Sequence, residues 1–221
     1  MKVSIVIPTI NRVDLLEPLL HTLRMQRDEF HNLLVIDNGN QPIKGPSGLD
    51  FLTLKPATNL GVAGSWNTGC MSAFSAVDWI LFLNDDIDLD IEQLEKINTV
   101  LKNNPDKWLI VGPYYWSVFA LNMRCVEYLM KTDGYVFDEN FFPAYFEDND
   151  FDRRIKLHDP SKILNPCPEM EPKIKRNSMT LAKDPGINQN FDNNKAYYIS
   201  KWGGEPGKET FTVPFNGVKS E

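Results

Sequence analysis

From Trp79 to Asp90 the chain reads WILFLNDDIDLD, a run of five apolar residues followed by an asparagine and four aspartates, Asp85, Asp86, Asp88 and Asp90. An unbroken apolar run of this length fits a strand buried on both faces. Carboxylates massed just past its carboxyl end repel one another unless a cation or a positively polarised ligand neutralises them. In open α/β sheets that edge is where ligands bind. The segment therefore predicts a central strand with a cation held at its mouth.

The first two-thirds of the chain alternates strand and helix patterns, which predicts a mostly parallel sheet with helices on its faces. Val3 to Ile7 reads as the first strand, ended by Pro8. Asp14 and Glu17 have capping-box spacing ahead of Leu16, Leu19, Leu20 and Leu23 at helical intervals. Leu33 to Ile36 and Phe51 to Leu54 read as further strands. A glycine-bearing loop, Asn59 to Gly64, leads into a helix expected over 65–76. After the acidic strand end come a helix from about Ile91 to Leu101 and a strand over Trp108–Val111. Beyond residue 129 the chain is aromatic and loop-rich, with a short helix in Phe146–His158 and irregular, proline-marked segments from Pro160 to Pro185. One domain is expected, its C-terminal part packed over the sheet edge.

Bulk properties narrow the function. At 221 residues the chain can bury one sizeable core. No apolar stretch is long enough to span a bilayer, so no integral membrane segment is expected. Met1-Lys2 runs straight into VSIVIP, too short for a signal-peptide core. The three cysteines are widely spaced, which fits a reducing compartment, and a cytoplasmic location is expected. Net charge is −7, with a basic run only at Lys173–Arg176, and this disfavours nucleic acid as a partner.

The acids at 85–90 suit a hard divalent cation such as Mg2+ or Mn2+, which takes one or two carboxylates plus substrate phosphates. A calcium loop starting at Asp86 fails, because Ile91 stands where glycine is needed and Ile97 where glutamate is needed. Asp90 has a plainer reading as the cap of the following helix. Pro8, Thr9, Ile10 and Asn11 form a strand-to-helix turn whose backbone N–H groups can face a ligand, and Arg12 can meet an anion. Asp37, ahead of Asn38-Gly39, either accepts hydrogen bonds from a ribose or base or forms an Asx turn.

In NLGVAGSWNTG, the glycines at 61, 64 and 69 allow close backbone approach, and Asn67 can read a polar ligand. A tight turn with close helix packing explains the same residues. On a helix, Glu147, Asp150 and Arg154 share one face, which leaves Asp148 free to point into a cleft and deprotonate a hydroxyl. The alternative is a solvated acidic helix start. His158 is a further candidate metal ligand or phosphate donor. Lys201, in YYISKWGG, can offset a leaving diphosphate or belong to a packing motif.

Taken in order, VSIVIPTINR, VIDNGN, NLGVAGSWNTG, FLNDDID and YFEDNDFDRR resemble the family 2 type of inverting glycosyltransferases. The resemblance covers residues 3 to 154. It implies an α/β fold of the GT-A kind, a single domain with a mostly parallel central sheet flanked by helices. Residues 1 to about 115 would bind the nucleotide sugar, and the remainder the acceptor. It implies a nucleotide-diphosphate donor, with a UDP-sugar favoured, a glycan acceptor and Mn2+ or Mg2+. Pro8, Thr9, Asp37 and Asn67 would contact the nucleotide, from segments that also carry Asn11, Arg12, Asn38, Asn59 and Gly61. Asp86 would ligate the metal with Asn84 and Asp85 beside it, and Asp148 would be the catalytic base. The chain has Asn84 and Asp86 where many relatives carry an Asp-x-Asp pair. Two other functions fit less of this pattern. A sugar nucleotidyltransferase needs a glycine-rich N-terminal loop, absent at Pro8–Arg12, and a module that only binds nucleotide sugars leaves Asp148 without a role.

Overall fold

Strand β1 (Val3–Thr9) is the third strand of a seven-stranded sheet, flanked on both sides. The computed structural model describes residues 1–73, 77–113, 115–170, 173–174 and 190–218. On one side β1 pairs in parallel with β2 (Asn32–Asp37), which pairs in parallel with β3 (Leu52–Leu54). On the other side it pairs in parallel with β4 (Trp79–Leu83). A two-residue strand, β5 (Ile87–Asp88), lies apart and pairs with β9 (Lys173–Ile174). The main sheet continues through β7 (Val118–Asn122), antiparallel to both β4 and β6 (Leu109–Val111), and ends with β8 (Ile163–Leu164). The order is β3-β2-β1-β4-β7-β6-β8, mostly parallel with β7 reversed.

The described residues hold six α-helices, with short 3-10 turns between elements: α1 (Val13–Met25), α2 (Gly61–Ala73), α3 (Gln93–Asn103), α4 (Met123–Thr132), α5 (Glu147–His158) and α6 (Phe191–Trp202). The period-2 side-chain alternation of β4 explains the sheet's two cores. Trp79, Leu81 and Leu83 join α1 and α3 residues such as Leu16, Leu20, Leu94 and Ile97 on one face. Ile80 and Phe82 join Trp66, Cys70, Val126 and Phe151 on the other. Every β4 side chain is buried, as the unbroken apolar run predicts. Cys70, Cys125 and Cys167 are all free and buried. Among the described residues no helix is long and apolar enough to cross a membrane.

Several local expectations need correction. Pro8 does not end β1, which runs on to Thr9. Pairing with β4 has already stopped at Val6, so the ladder on that side ends before the residue that lacks a donor. Asp14 is not a cap. The N–H groups of Leu15 and Leu16 both donate to the Arg12 carbonyl, so Arg12 holds the cap position and its guanidinium pairs with Asp14 at 3.0 Å. Asp90 does not cap α3 either: Glu92 holds that position without a capping side-chain bond. The donor of Leu94 is met from α1's end, where Gln26 accepts it at 2.8 Å and donates to the Asp90 carbonyl at 3.1 Å.

Helix α2 starts at Gly61, earlier than expected, and its expected last residues, 74–76, lie outside the described residues. Strand β7 and helix α4 were not expected. They follow one another with no turn residues between, α4 being capped by the Asn122 side chain, which accepts from the Arg124 N–H at 3.0 Å. The prolines at 160 and 168 do mark short irregular turns, while 175–189 falls outside the described residues.

Candidate active site

Strands β1, β2 and β4 all deliver their carboxyl ends to the same edge of the sheet, and a cavity of about 320 Å3 opens there. Pro8 and Thr9 come from β1, Asn38 from the end of β2, Asn59 and Gly61 from the start of α2, and Asn84, Asp85 and Asp86 from the end of β4. The remaining wall comes from Trp116 and Ser117 and from the segment of Pro143 to Asp148.

The Thr9 hydroxyl donates to the Asp85 carboxylate at 2.6 Å, joining two strand ends. Asn38 is held on both sides of its amide, donating to the Ser65 hydroxyl and accepting from the Leu60 N–H, each at 2.9 Å. Asn84 donates its backbone N–H to the Ser117 carbonyl at 2.9 Å. The last wall is fixed by backbone that a side chain would disturb. Gly61 has φ +68, and a Cβ there would sit 2.7 Å from the Pro143 carbonyl oxygen. That same oxygen accepts from the Val62 N–H at 2.8 Å. Tyr145 and Phe146 both take left-handed backbone, φ 79 and 73, immediately before α5. Such conformations are uncommon for aromatic residues and persist only where the surroundings enforce them.

Carboxyl groups dominate the electrostatics. Asp85, Asp86, Glu147 and Asp148 line the cavity, and none of the lining residues is Lys, Arg or His. Burial pushes the Asp85 carboxyl up to about 7; the Thr9 hydrogen bond pulls it back, the Asp86 charge raises it, and Arg12 lowers it. Asp86 is raised by burial as well, against backbone hydrogen bonding and the Arg12 charge. Glu147 is raised well above the ordinary carboxylate range by burial and by the adjacent Asp148 charge, and its Oε2 has no hydrogen-bond partner among the described residues. Asp148 is raised by burial, opposed by backbone N–H groups; the Asn149 N–H donates to its Oδ1 at 2.7 Å. A pair of hard oxygen donors, desolvated and short of positive charge, is the donor set that Mn2+ or Mg2+ takes.

The model of the family described as "Glycosyl transferase family 2" matches residues 4–160. The chain belongs to glycosyl transferase family 2. An "Uncharacterized glycosyltransferase" of Haemophilus influenzae is 29% identical over 113 residues, which is 50% of this chain and 38% of that protein. The mannosyltransferase PcManGT from Pyrobaculum calidifontis, solved with GDP-Man and Mn2+, superposes with a TM-score of 0.58 at 13% identity, covering 87% of this chain and 63% of that one. S. aureus TarS 1-349 in complex with UDP gives a TM-score of 0.53 at 15% identity over 69% of this chain and 54% of that one. The chain thus spans less than two-thirds of the length of each of these relatives. The two structural likenesses show that the fold is the GT-A arrangement of a mixed α/β domain with a central sheet flanked by helices.

Within this family 2 domain, the structure gathers Pro8, Thr9, Asn38, Asn59, Gly61, Asn84, Asp85, Asp86 and Asp148 around one cavity. Other residues singled out in the sequence do not line it. Asn11, at φ 53, uses its side-chain oxygen to accept the Asn40 N–H at 3.0 Å. Arg12 is 2% exposed and acts on Asp85 and Asp86 only through its charge. Asp37 is buried and makes the Asx-turn bond, accepting from the Gly39 N–H at 2.9 Å, with Lys55 at 3.7 Å. Asn67 spends its amide on the backbone of Phe137, donating to its carbonyl and accepting from its N–H, both at 2.9 Å.

His158 is at the far end of α5, its Nε2 3.1 Å from Asp133 and its ring against Tyr128; the structure does not bring it to the cavity. Lys201 does not reach the cavity either, being buried in ion pairs with Asp138 and Asp150, each at 2.6 Å. The sequence reading missed Trp66, Trp116, Tyr145 and Glu147 as lining residues. Only Glu147 had an available marker, its adjacency to Asp148; the aromatics look like core residues, and Trp66 and Trp116 are in fact stacked on each other at 6.1 Å.

Proposed function

We propose that this protein is a metal-dependent inverting glycosyltransferase that moves a sugar from a UDP-sugar to a hydroxyl of a glycan acceptor. The observation that carries the reading is that Asp148, from α5, lines the same cavity as Asp85 and Asp86, from the end of β4. Family membership favours transfer over nucleotidyl transfer and over a module that only binds. Residues 1 to about 115 hold the donor, and the rest of the chain forms the acceptor side.

In this reading Asp86, with Asp85 beside it, holds the cation. Bound Mn2+ or Mg2+ would supply the positive charge that the donor diphosphate lacks in a cavity walled by carboxylates. Pro8, Thr9 and Asn38, at the ends of β1 and β2, face the nucleoside portion. Asp148 takes the proton of the acceptor hydroxyl as that oxygen bonds to the anomeric carbon, while the bond from that carbon to the phosphate oxygen breaks and UDP leaves with the electron pair. One base with no second nucleophilic carboxylate gives a single displacement, and the anomeric centre inverts. The three free thiols fit work in the cytoplasm.

Calorimetric titration with UDP-glucose, UDP-N-acetylglucosamine and GDP-mannose, with and without Mn2+, tests the reading when followed by assay of released nucleotide. Expected are binding that requires Mn2+, preference for a UDP-sugar, and release of UDP. A protein that binds none of these donors in Mn2+ overturns it.

A further inference from the structure

Helix α6 begins at Phe191, thirty-one residues beyond the last residue of the family match at 160, and it packs one buried face against the turn that carries Asp148. That face is Asn194, Tyr198, Lys201 and Trp202, spaced as one side of a helix requires. Asn194, 4% exposed, donates to the Ala144 carbonyl at 2.8 Å and to the Tyr145 carbonyl at 3.4 Å. It thereby grips the backbone just as it enters the two left-handed residues that precede α5.

At the other end of the face, Trp202 Nε1 donates to Asp150 Oδ1 at 2.8 Å, and Lys201 Nζ lies 2.6 Å from the same oxygen. Arg154 Nε meets the remaining Asp150 oxygen at 3.0 Å. Asp150 is fully buried and Lys201 is 1% exposed, so the two charges depend on each other. Lys201 also holds Asp138 at 2.6 Å, and the neighbouring Phe137 is pinned by Asn67 from α2.

We propose that Asn194, Lys201 and Trp202 are positioning residues that set the direction of Asp148 through Asp150 and the 144–145 backbone. Asp150 follows Asp148 by two positions, so the two side chains leave α5 roughly 200° apart. Anchoring the inward carboxylate fixes the rotation of the first helical turn and aims the other into the cavity. Lys201 therefore serves the acceptor side through alignment, not the donor diphosphate through charge. This rests on the proposed role of Asp148 as base.

The test measures UDP release from whichever UDP-sugar the wild type turns over with Mn2+, together with UDP affinity by calorimetry. Trp202→Phe keeps a ring and both charges but removes the N–H; kcat should fall about ten-fold with UDP affinity unchanged, in line with the sensitivity of rate to small displacements. Lys201→Met should lower kcat about 100-fold, and adding Asp150→Asn should recover about ten-fold of it, because Asp150 is then no longer a buried charge short of its lysine, while Asp138 still lacks it. Wild-type kcat in Trp202→Phe overturns the proposal, as does a Lys201→Met protein that loses UDP affinity and is not repaired by Asp150→Asn. Should Lys201→Met fail to fold, Trp202→Phe and Asn194→Asp decide, the latter reversing the donor to the Ala144 carbonyl. Asp148→Asn separates the two levels: turnover in that variant refutes the base assignment itself, whereas its loss beside a normal Trp202→Phe refutes the clamp alone.

Discussion

Thr9 and Asp85 share a 2.6 Å hydrogen bond that ties the carboxyl end of β1 to the carboxyl end of β4. It lowers the Asp85 carboxyl against the burial that raises it, so it favours the ionised form a cation requires. Thr9→Val keeps the shape and deletes the donor. Hydrogen bonds to charged groups contribute about 1.5–3 kcal/mol, so Mn2+ affinity at pH 7 should fall at least about ten-fold. Calorimetric Mn2+ titrations at pH 6, 7 and 8 check this, with the variant's deficit greatest at the lowest pH. Equal affinities across that range would separate Thr9 from the cation site.

The same carboxyl links stability to pH. Asp85 in the folded chain sits at about 7, above its ordinary value of 3.8, so between those limits the folded state binds a proton that the unfolded chain does not. Stability of the metal-free protein should therefore rise as pH falls from 7.5 toward 5. Asp133 and Asp138 are shifted down, and their loss of stability begins only at lower pH. Asp86, Glu147 and Asp148 are raised too and act in the same direction, so in Asp85→Asn this rise should become shallower, and the Tm at pH 7.5 should exceed that of the wild type. Differential scanning calorimetry across pH 5–8 decides, and a slope unchanged in Asp85→Asn would assign it to other groups.

How much of this was legible in the sequence depended on what each residue touches. The β4 run announces itself because both faces of that strand are buried, and the mass of aspartate at its end has no structural use as plain as a cavity edge. Strand β7 escaped because Val118–Asn122 passes directly into α4 with no glycine or proline between them. The helix boundaries at Asp14 and Asp90 misled because the donors they were to satisfy are met by a backbone carbonyl and by Gln26 from a distant helix. Lys201 is the clearest case. A lysine ahead of two glycines looks available for an anion, and nothing local shows that Asp138 and Asp150 converge on it.

Gly61 offers a test of the wall that carries the Pro143–Tyr145 backbone. Its φ of +68 strains any residue with a side chain, and a Cβ there would come within 2.7 Å of the Pro143 carbonyl oxygen. Gly61→Ala should destabilise the protein by about 1–3 kcal/mol, the range for a residue forced into a sparsely populated conformation. Chemical denaturation measures it through the midpoint at constant m. Because Val62 donates to that carbonyl, the variant should also weaken turnover more than UDP binding. A wild-type midpoint would show that the 61–143 contact yields easily.

Glu147 and Asp148 are neighbours that should hold their protons differently. Glu147 is deeply buried, lacks a partner for Oε2 among the described residues and is raised by burial and by the Asp148 charge, whereas Asp148 is raised by burial against backbone N–H groups that pull it back. Glu147 is therefore expected to hold its proton more tightly than Asp148. Asp148→Asn removes the base and should cut transfer about 100- to 10,000-fold while UDP and Mn2+ still bind. Glu147→Gln mimics the protonated acid and should retain turnover within about ten-fold. Its acid limb in kcat should also stay where it is, since a neutral Glu147 places no charge on Asp148. Glu147→Asp retracts the carboxyl by one methylene and should be the worse substitution. Matched pH–rate profiles of the three variants check this ordering. If Glu147→Gln behaves as Asp148→Asn does, Glu147 itself accepts the proton, and the base belongs one residue earlier in the chain.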